Sequence, residues 1–268
     1  MSRWFPDDIQ VALAPDKVVI DYGAGAKRVR QVLVTGSEAG SRAWGKALHV
    51  LAGALEVLRD RHGDVSVILS NSFVRYALVP QSNRLSTEQE NAVLRHCFHE
   101  IYGAAAEHWA LRLSAASGMS SQPASGVDQT LIDGLRTLFP DGRLRLRSIQ
   151  PRLMAVCNQH RSALGGGLFW LLLVEPGNLC LGLISGGGLI RLRSLRSGDS
   201  WATELPWLLE REACLAELDD APGDLLLWHR DGAPPARLVA GSLRIHLLQD
   251  SLTIERATDS ENLAVVEG

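Results

Sequence analysis

Two short stretches carry residue types that could hold a phosphate. One is Glu175-Pro176-Gly177-Asn178, and the other is the glycine run Gly186-Gly187-Gly188. A carboxylate at the end of a strand can help hold magnesium. Backbone N–H groups of a glycine-rich turn can cradle phosphate oxygens. Both stretches lie in "LLLVEPGNLCLGLISGGGLIRLRSL", residues 171–195, where they separate three apolar runs. A plain β-meander has the same pattern. Neither GxxxxGK[ST] nor GxGxxG occurs there, so the two best-defined phosphate loops are excluded. Pro-Gly suits the central positions of a type II turn without any ligand, and proline removes an N–H donor. Glu175, Gly177 and Asn178 therefore read as the remnant of a phosphate turn.

Other clusters invite different chemistry. His96, His99 and Glu100 fall within one helical turn, where residues three and four apart share a face. A metal site is conceivable, and a metal-dependent enzyme would follow from it. No HExxH accompanies them, and the same helix must bury Cys97 and Phe98, so a solvated polar face is the preferred reading. No GxSxG nucleophile motif is present. Phe73, Arg75 and Tyr76 form an aromatic–arginine–aromatic group of the kind enriched at interface hot spots. They are the candidate partner-binding residues, although packing around one snorkelling arginine is the preferred reading. Arg143, Arg145 and Arg147 alternate, so they project from one side of a strand. They suit an edge strand protected by charge better than a patch for an acidic partner.

The 268 residues are 46% hydrophobic and 21% charged, with a formal charge of −3. That composition suits one large globular domain or two smaller ones and offers no overall attraction to nucleic acid. Cys97, Cys157, Cys180 and Cys214 are widely spaced without zinc spacing, which suggests free thiols in a reducing compartment. "MSRWFPDDIQ" lacks a basic-then-apolar signal pattern. The longest apolar run, residues 167–174, falls short of the roughly 20 needed to span a bilayer. The expectation is a cytosolic chain that meets a membrane only through a partner.

The elements that would position these residues follow from periodicity. "IQVALAP", "KVVIDYG" and "VRQVLVTG" read as an antiparallel meander. Trp44, Leu48, Leu51, Leu55 and Leu58 form a helical stripe, with Ser41 as its expected N-cap and Gly63 ending the run. "VSVILS" is a buried strand and "FVRYALVP" another. A helix opens with a Ser86/Gln89 capping box, buries Val93, Leu94, Cys97, Phe98 and Ile101, and is capped by Gly103. "EHWALRLSA" is a strand, and "SGMSSQPASG" reads as a polar loop. "VDQTLIDGLRTLF", "RLRLRSI" and "QPRLMAVCNQHRSAL" are helix, strand and helix. After the second meander come a helix with Pro206 in its first turn, the strand "DLLLWH", and the strand candidates "PARLVAG", "LRIHLL" and "LTIERA".

"VALAPDKVVIDY" (11–22) and "LLVEPGNLCLGL" (172–183) match by residue type, and Pro15 and Pro176 are 161 positions apart. Strand, helix and buried strand then follow in the same order. The chain is thus a duplicated β-β-β-α-β fold with a small α+β insertion in the first unit, a long-period repeat rather than a solenoid. The expected units are residues 1–164, with an inserted subdomain at about 71–115, and residues 165–257, followed by a tail at 258–268. Two such units facing each other make an α/β, actin-like (RNase H-like) architecture. The first turn, Ala14-Pro15-Asp16, lacks both the strand-end acidic residue and the glycine of a working phosphate turn.

"VSVILSNSFVRYALVP" followed by "LSTEQENAVLRHCFHEIYG" resembles the insertion junction of PilM-type and GspL-type proteins. "VDQTLIDGLRTLFPDGRLRLRSIQPRLMAV" is similar to the helix–strand–helix that precedes their second half, and the likeness covers most of residues 8–230. The resemblance implies a cytoplasmic scaffold of a type IV pilus or type II secretion platform, peripheral to the inner membrane. Its implied partners are a cytoplasmic peptide of a membrane protein and the secretion ATPase, with room for a homodimer and no nucleic acid. PilM proteins bind ATP. Here both turns depart from that pattern, so the reading expects no cofactor and no catalysis. An ATP–magnesium-binding actin-fold protein is the alternative. The resemblance leaves open a stand-alone component or a piece ending before a membrane span.

Overall fold

The computed structural model describes residues 7–23, 29–35, 43–81, 85–114, 121–140, 142–162, 164, 166–198, 200–218, 222–232, 238 and 243–249. Ser41, the strand candidate "LTIERA" and the expected tail lie outside these residues, as does most of "PARLVAG".

The first unit opens with β1 (Asp7–Leu13), β2 (Lys17–Tyr22) and β3 (Val29–Val34), an antiparallel meander. Helix α1 (Trp44–Leu55) follows, and then β4 (Gly63–Leu69) runs parallel to β1. Ala47, Leu51, Ala54 and Leu58 are the buried positions of this stretch, while Trp44, Leu48 and Leu55 flank them half-buried. The chain then leaves the sheet through β5 (Val74–Pro80), α2 (Thr87–Tyr102), β6 (Trp109–Leu113) and β7 (Ser121–Asp128). It returns through α3 (Gln129–Leu138) to β8 (Leu144–Pro151), which pairs parallel with β4, and on to α4 (Arg152–Gln159).

The second unit repeats the order: β9 (Leu168–Glu175), β10 (Asn178–Ser185), β11 (Gly188–Arg196), α5 (Trp201–Leu215), β12 (Asp224–His229) and β13 (Arg244–Leu248). The two five-stranded sheets have equivalent orders, β3-β2-β1-β4-β8 and β11-β10-β9-β12-β13. In each, the first three strands are antiparallel and the last two parallel to the first. The 161-residue offset is kept between the acceptors of two equivalent hydrogen bonds, while their donors are 160 residues apart. Ser70, just past β4, donates its N–H to the carbonyl of Leu13, and Arg230, just past β12, donates to Val174. One apolar core joins both sheets with α1, α3 and α4, and a second lies between α5 and the opposite face of the second sheet.

Three sequence readings need correction. Residues 121–128, expected as part of a polar loop, form β7, the central strand of the three-stranded sheet β5-β7-β6. Pro123 is tolerated there because its carbonyl accepts from Ser114. Its nitrogen faces the same side, past the last β6–β7 pair, where the ladder needs no donor. Ile101, expected inside, is 56% exposed, because Leu94 and Phe98 already complete the buried face of α2. Pro206 lies in the second turn of α5 rather than the first, because the helix begins five residues earlier at Trp201.

The Ser86/Gln89 capping box forms reciprocally, and Gly103 terminates α2 at positive φ. Arg145 and Arg147 on the edge strand β8 pair with Asp64, and Arg143 pairs with Asp60.

Candidate functional site

The two meander turns meet where the units abut. Each reaches across to the strand end of the other unit. In the first turn, Ala14 donates its N–H to the carbonyl of Lys17, closing a tight turn around Pro15 and Asp16. The Asp16 carboxylate then takes a bidentate pair from Arg230, at 2.6 and 2.9 Å. The Lys17 ammonium bonds Asp231 at 3.3 Å. In the second turn, Glu175 pairs with Asn178 across Pro176-Gly177. Gly177 has φ +72°, so with proline's fixed φ before it the pair meets the type II requirement. The Glu175 carboxylate points back into the protein, where its Oε2 accepts the Asn71 N–H at 2.7 Å. The Ser70 hydroxyl also bonds it, and Arg152 lies close enough to stabilise its charge.

These ties are interior. Glu175, Ser70, Asn71, Arg152 and Arg230 are all buried. Burial pushes the Glu175 carboxyl above its usual range against the pull of Arg152 and the Asn71 N–H. Burial also lowers the Lys17 ammonium, helped by the nearby Arg230. Asp231 meets the same burial, but Lys17 and Arg230 outweigh it and hold its carboxyl low. Three cations, Lys17, Arg152 and Arg230, thus face three anions, Asp16, Glu175 and Asp231. Among the described residues, each basic side chain of the junction has a carboxyl group close by.

The other sequence candidates fall elsewhere. Asn178 is half-buried at the start of β10, directly after the turn. Gly186 and Gly187 both have positive φ and simply join β10 to β11. Tyr76, expected at a partner surface, is 5% exposed. Its hydroxyl donates to Asn71 Oδ1 at 2.6 Å, and its carbonyl accepts the Tyr102 hydroxyl at 2.7 Å. Burial raises its phenol pKa well above the ordinary value. That side chain therefore supports the junction and presents no contact surface. Phe73 packs half-buried on the main core, and half-buried Arg75 donates to the carbonyls of Ser72 and Val74. His96 and His99 line an open cavity of about 300 Å³ with Arg95, Ala106, Glu107 and Leu111. Among the described residues no cluster of His, Cys, Asp or Glu has metal-holding geometry, and no helix is long and apolar enough to cross a membrane.

Sequence reading missed the partners of the turns: Asn71, Arg152, Arg230 and Asp231. A signal did exist. Asp16-Lys17 and Arg230-Asp231 are oppositely ordered charged pairs at the ends of apolar strands.

Two meanders of the same order, each crossed by two parallel strands and facing each other at their turns, leave one architecture. The fold is actin-like. A Bacteroides thetaiotaomicron protein with an actin-like ATPase fold and unknown function matches with a TM-score of 0.58 at 10% identity, over 86% of this chain and 84% of that one. The cytoplasmic domain of EpsL, an inner membrane component of the type II secretion system of Vibrio cholerae, matches with a TM-score of 0.52 at 14% identity over 92% of each chain. A chain of the PilM–PilN type IV pilus biogenesis complex matches with a TM-score of 0.58 at 15% identity, over 83% of this chain and 81% of that one. At such identities the likeness is one of actin-like fold, which hosts many activities. No protein-family model and no curated protein matches the chain.

Proposed function

We propose that this actin-like chain is a non-catalytic adaptor in the cytoplasmic platform of a type IV pilus or type II secretion system. In this reading it sits at the inner membrane through its partners. It grips the cytoplasmic peptide of a membrane component, the assembly ATPase, or both. The observation that carries the reading is the self-neutralised junction. Where an actin-like phosphate site needs free N–H donors and an available metal-binding carboxylate, Asp16 is held by Arg230 and Glu175 by Asn71. A proline stands in each turn where a donor would be needed. The secretion and pilus settings of two of the fold relatives support the choice of machine.

Two measurements test it. Calorimetric titration with ATP and magnesium to millimolar concentration should give no heat and no rise in melting temperature, since a ligand selective for the native state must stabilise it. Immobilised cytoplasmic N-terminal peptides of pilus and secretion membrane proteins should capture the full chain. Nucleotide heat accompanied by a melting shift would favour the alternative, an ATP-binding protein or ATPase with atypical phosphate loops. Failure of every peptide would overturn the adaptor assignment.

A further inference from the structure

The inserted sheet leaves the first unit through one tight turn, Asn71–Phe73, between β4 and β5, and returns where β7 ends at Asp128 and α3 begins. Every N–H of that turn is bonded. The Ser72 N–H goes to the Ser70 hydroxyl at 3.1 Å, and the Phe73 N–H to the Ser70 carbonyl at 3.0 Å. The Asn71 N–H goes instead to Glu175, in the second unit. The Ser70 hydroxyl, which accepts from Ser72, also bonds the Glu175 carboxylate. One carboxylate of the second unit thus grips the exit of the insertion at two successive residues. The grip continues outward. Tyr76, in β5, donates its hydroxyl to the Asn71 side chain and accepts the Tyr102 hydroxyl on its carbonyl. Tyr102 closes α2 and packs on the insertion's own apolar core, in the ring cluster with Phe98 and Trp109. Glu175, Asn71, Tyr76 and Tyr102 therefore form one polar chain from the junction of the units to the core of the insertion.

We propose that this chain is a latch that makes the inserted sheet and the junction of the units loosen together. Glu175, Asn71 and Tyr76 are each at most 5% exposed, so their bonds lie where the local dielectric is low and water is excluded. Apolar contact also holds the insertion, since Val74, Tyr76 and Val127 join the core shared by both sheets. Such contact is non-directional and does not fix one residue against another. Hydrogen bonds are directional, and these set the turn against Glu175 and β5 against the end of α2. The latch also has a reason to release. Burial disfavours the charge on Glu175 and so raises its pKa, and opening returns that carboxylate to water. By linkage the coupling is reciprocal: whatever engages the insertion shifts the junction by the same factor as the reverse. The latch belongs to the chain alone and operates whether or not the chain is an adaptor.

The test is amide hydrogen exchange of the native full chain, followed residue by residue by NMR. Glu175→Met removes the acceptor. It should quicken exchange about tenfold or more at residues 70–74 and also across β5, β7 and the end of α2. Helix α5, on the opposite face of the second sheet, should keep its protection. Glu175→Gln keeps an acceptor oxygen and should retain most of the protection throughout. Tyr102→Phe cuts the far end of the chain and preserves the ring. It should quicken exchange at Asn71 and at Arg230, whose N–H bonds Val174 in the junction. If Glu175→Met does not fold, Tyr102→Phe decides alone. Faster exchange confined to the substituted end overturns the latch, and so does an equal increase in every element, α5 included. In urea unfolding, Glu175→Met and Tyr102→Phe together should raise the unfolding constant about fivefold less than the product of their separate effects. A combined effect equal to that product also overturns it.

Discussion

The carboxylate of Glu175 accepts the backbone N–H of Asn71 at 2.7 Å, joining residues 104 positions apart in the chain. The residue best suited by type to hold a metal is thereby committed to holding two halves of the protein together. Its equivalent in the first unit is Ala14, which has no carboxylate to offer. The cross-ties are thus unequal. The second turn reaches across from its strand end, through Glu175, whereas the first does so from within the turn, through Asp16 and Lys17.

Burial raises the pKa of Glu175, so the folded chain holds that proton more tightly than the unfolded chain. Stability should therefore fall as pH rises from the ordinary carboxyl value through the raised folded value, then level off. Glu175→Gln cannot titrate. The melting-temperature difference between the two proteins, followed from about pH 4 to 8, should shift in favour of the variant across that window. A difference independent of pH would contradict the raised value.

Arg230 is 10% exposed and Asp16 36%. Asp16→Asn leaves the guanidinium ion-paired with Asp231 at 3.7 Å and within electrostatic reach of Glu175. Each single change, Asp16→Asn or Arg230→Met, should cost about 2 kcal/mol in urea unfolding. The double variant should cost less than the sum, with a coupling of about 1 kcal/mol. Strict additivity would mean that the pair does not bind the units together.

Gly126, in β7, leaves room for three side chains. A Cβ there would lie 2.8 Å from Phe98 and 3.0 Å from both Leu111 and Trp109. Phe98, Tyr102 and Trp109 form a mutual ring cluster with centroids 5.2 to 6.3 Å apart. Gly126→Ala should destabilise the inserted sheet by about 1–3 kcal/mol and reduce the near-ultraviolet circular dichroism of these rings. An unchanged spectrum and midpoint would show that the cluster yields freely.

The four thiols differ in access. Cys214 is exposed, Cys97 and Cys157 are half-buried and Cys180 is fully buried. Burial pushes the Cys157 thiol up to about 12, and that of Cys180 higher still. A thiol-specific reagent should label Cys214 first in the native protein and reach Cys180 only on unfolding. Early labelling of Cys180, identified by peptide mapping, would place it outside the core.

Much of the fold was legible because it is written in local periodicity. The apolar runs of β1, β2, β9 and β10, the two prolines 161 residues apart, and the Ser86/Gln89 box all report neighbouring residues. β7 was not legible. "SQPASGVD" has the composition of a loop, and only pairing on both sides, with β5 and β6, makes it a strand. Tyr76 by type suits either a contact surface or the interior, and only its position between Asn71 and Tyr102 draws it inward.

By itself the sequence determined the duplication, the actin-like order of elements and the proline in each turn, since these depend on residue types at short spacing. The tertiary structure alone decided what the charged residues do. Asp16 and Arg230 are 214 positions apart, as are Lys17 and Asp231, and no local pattern connects them. Their pairing is set by how two sheets pack through a shared core. That packing turned Glu175 from a metal-ligand candidate into a buried tie, and turned the meander of residues 171–195 into one side of a closed junction.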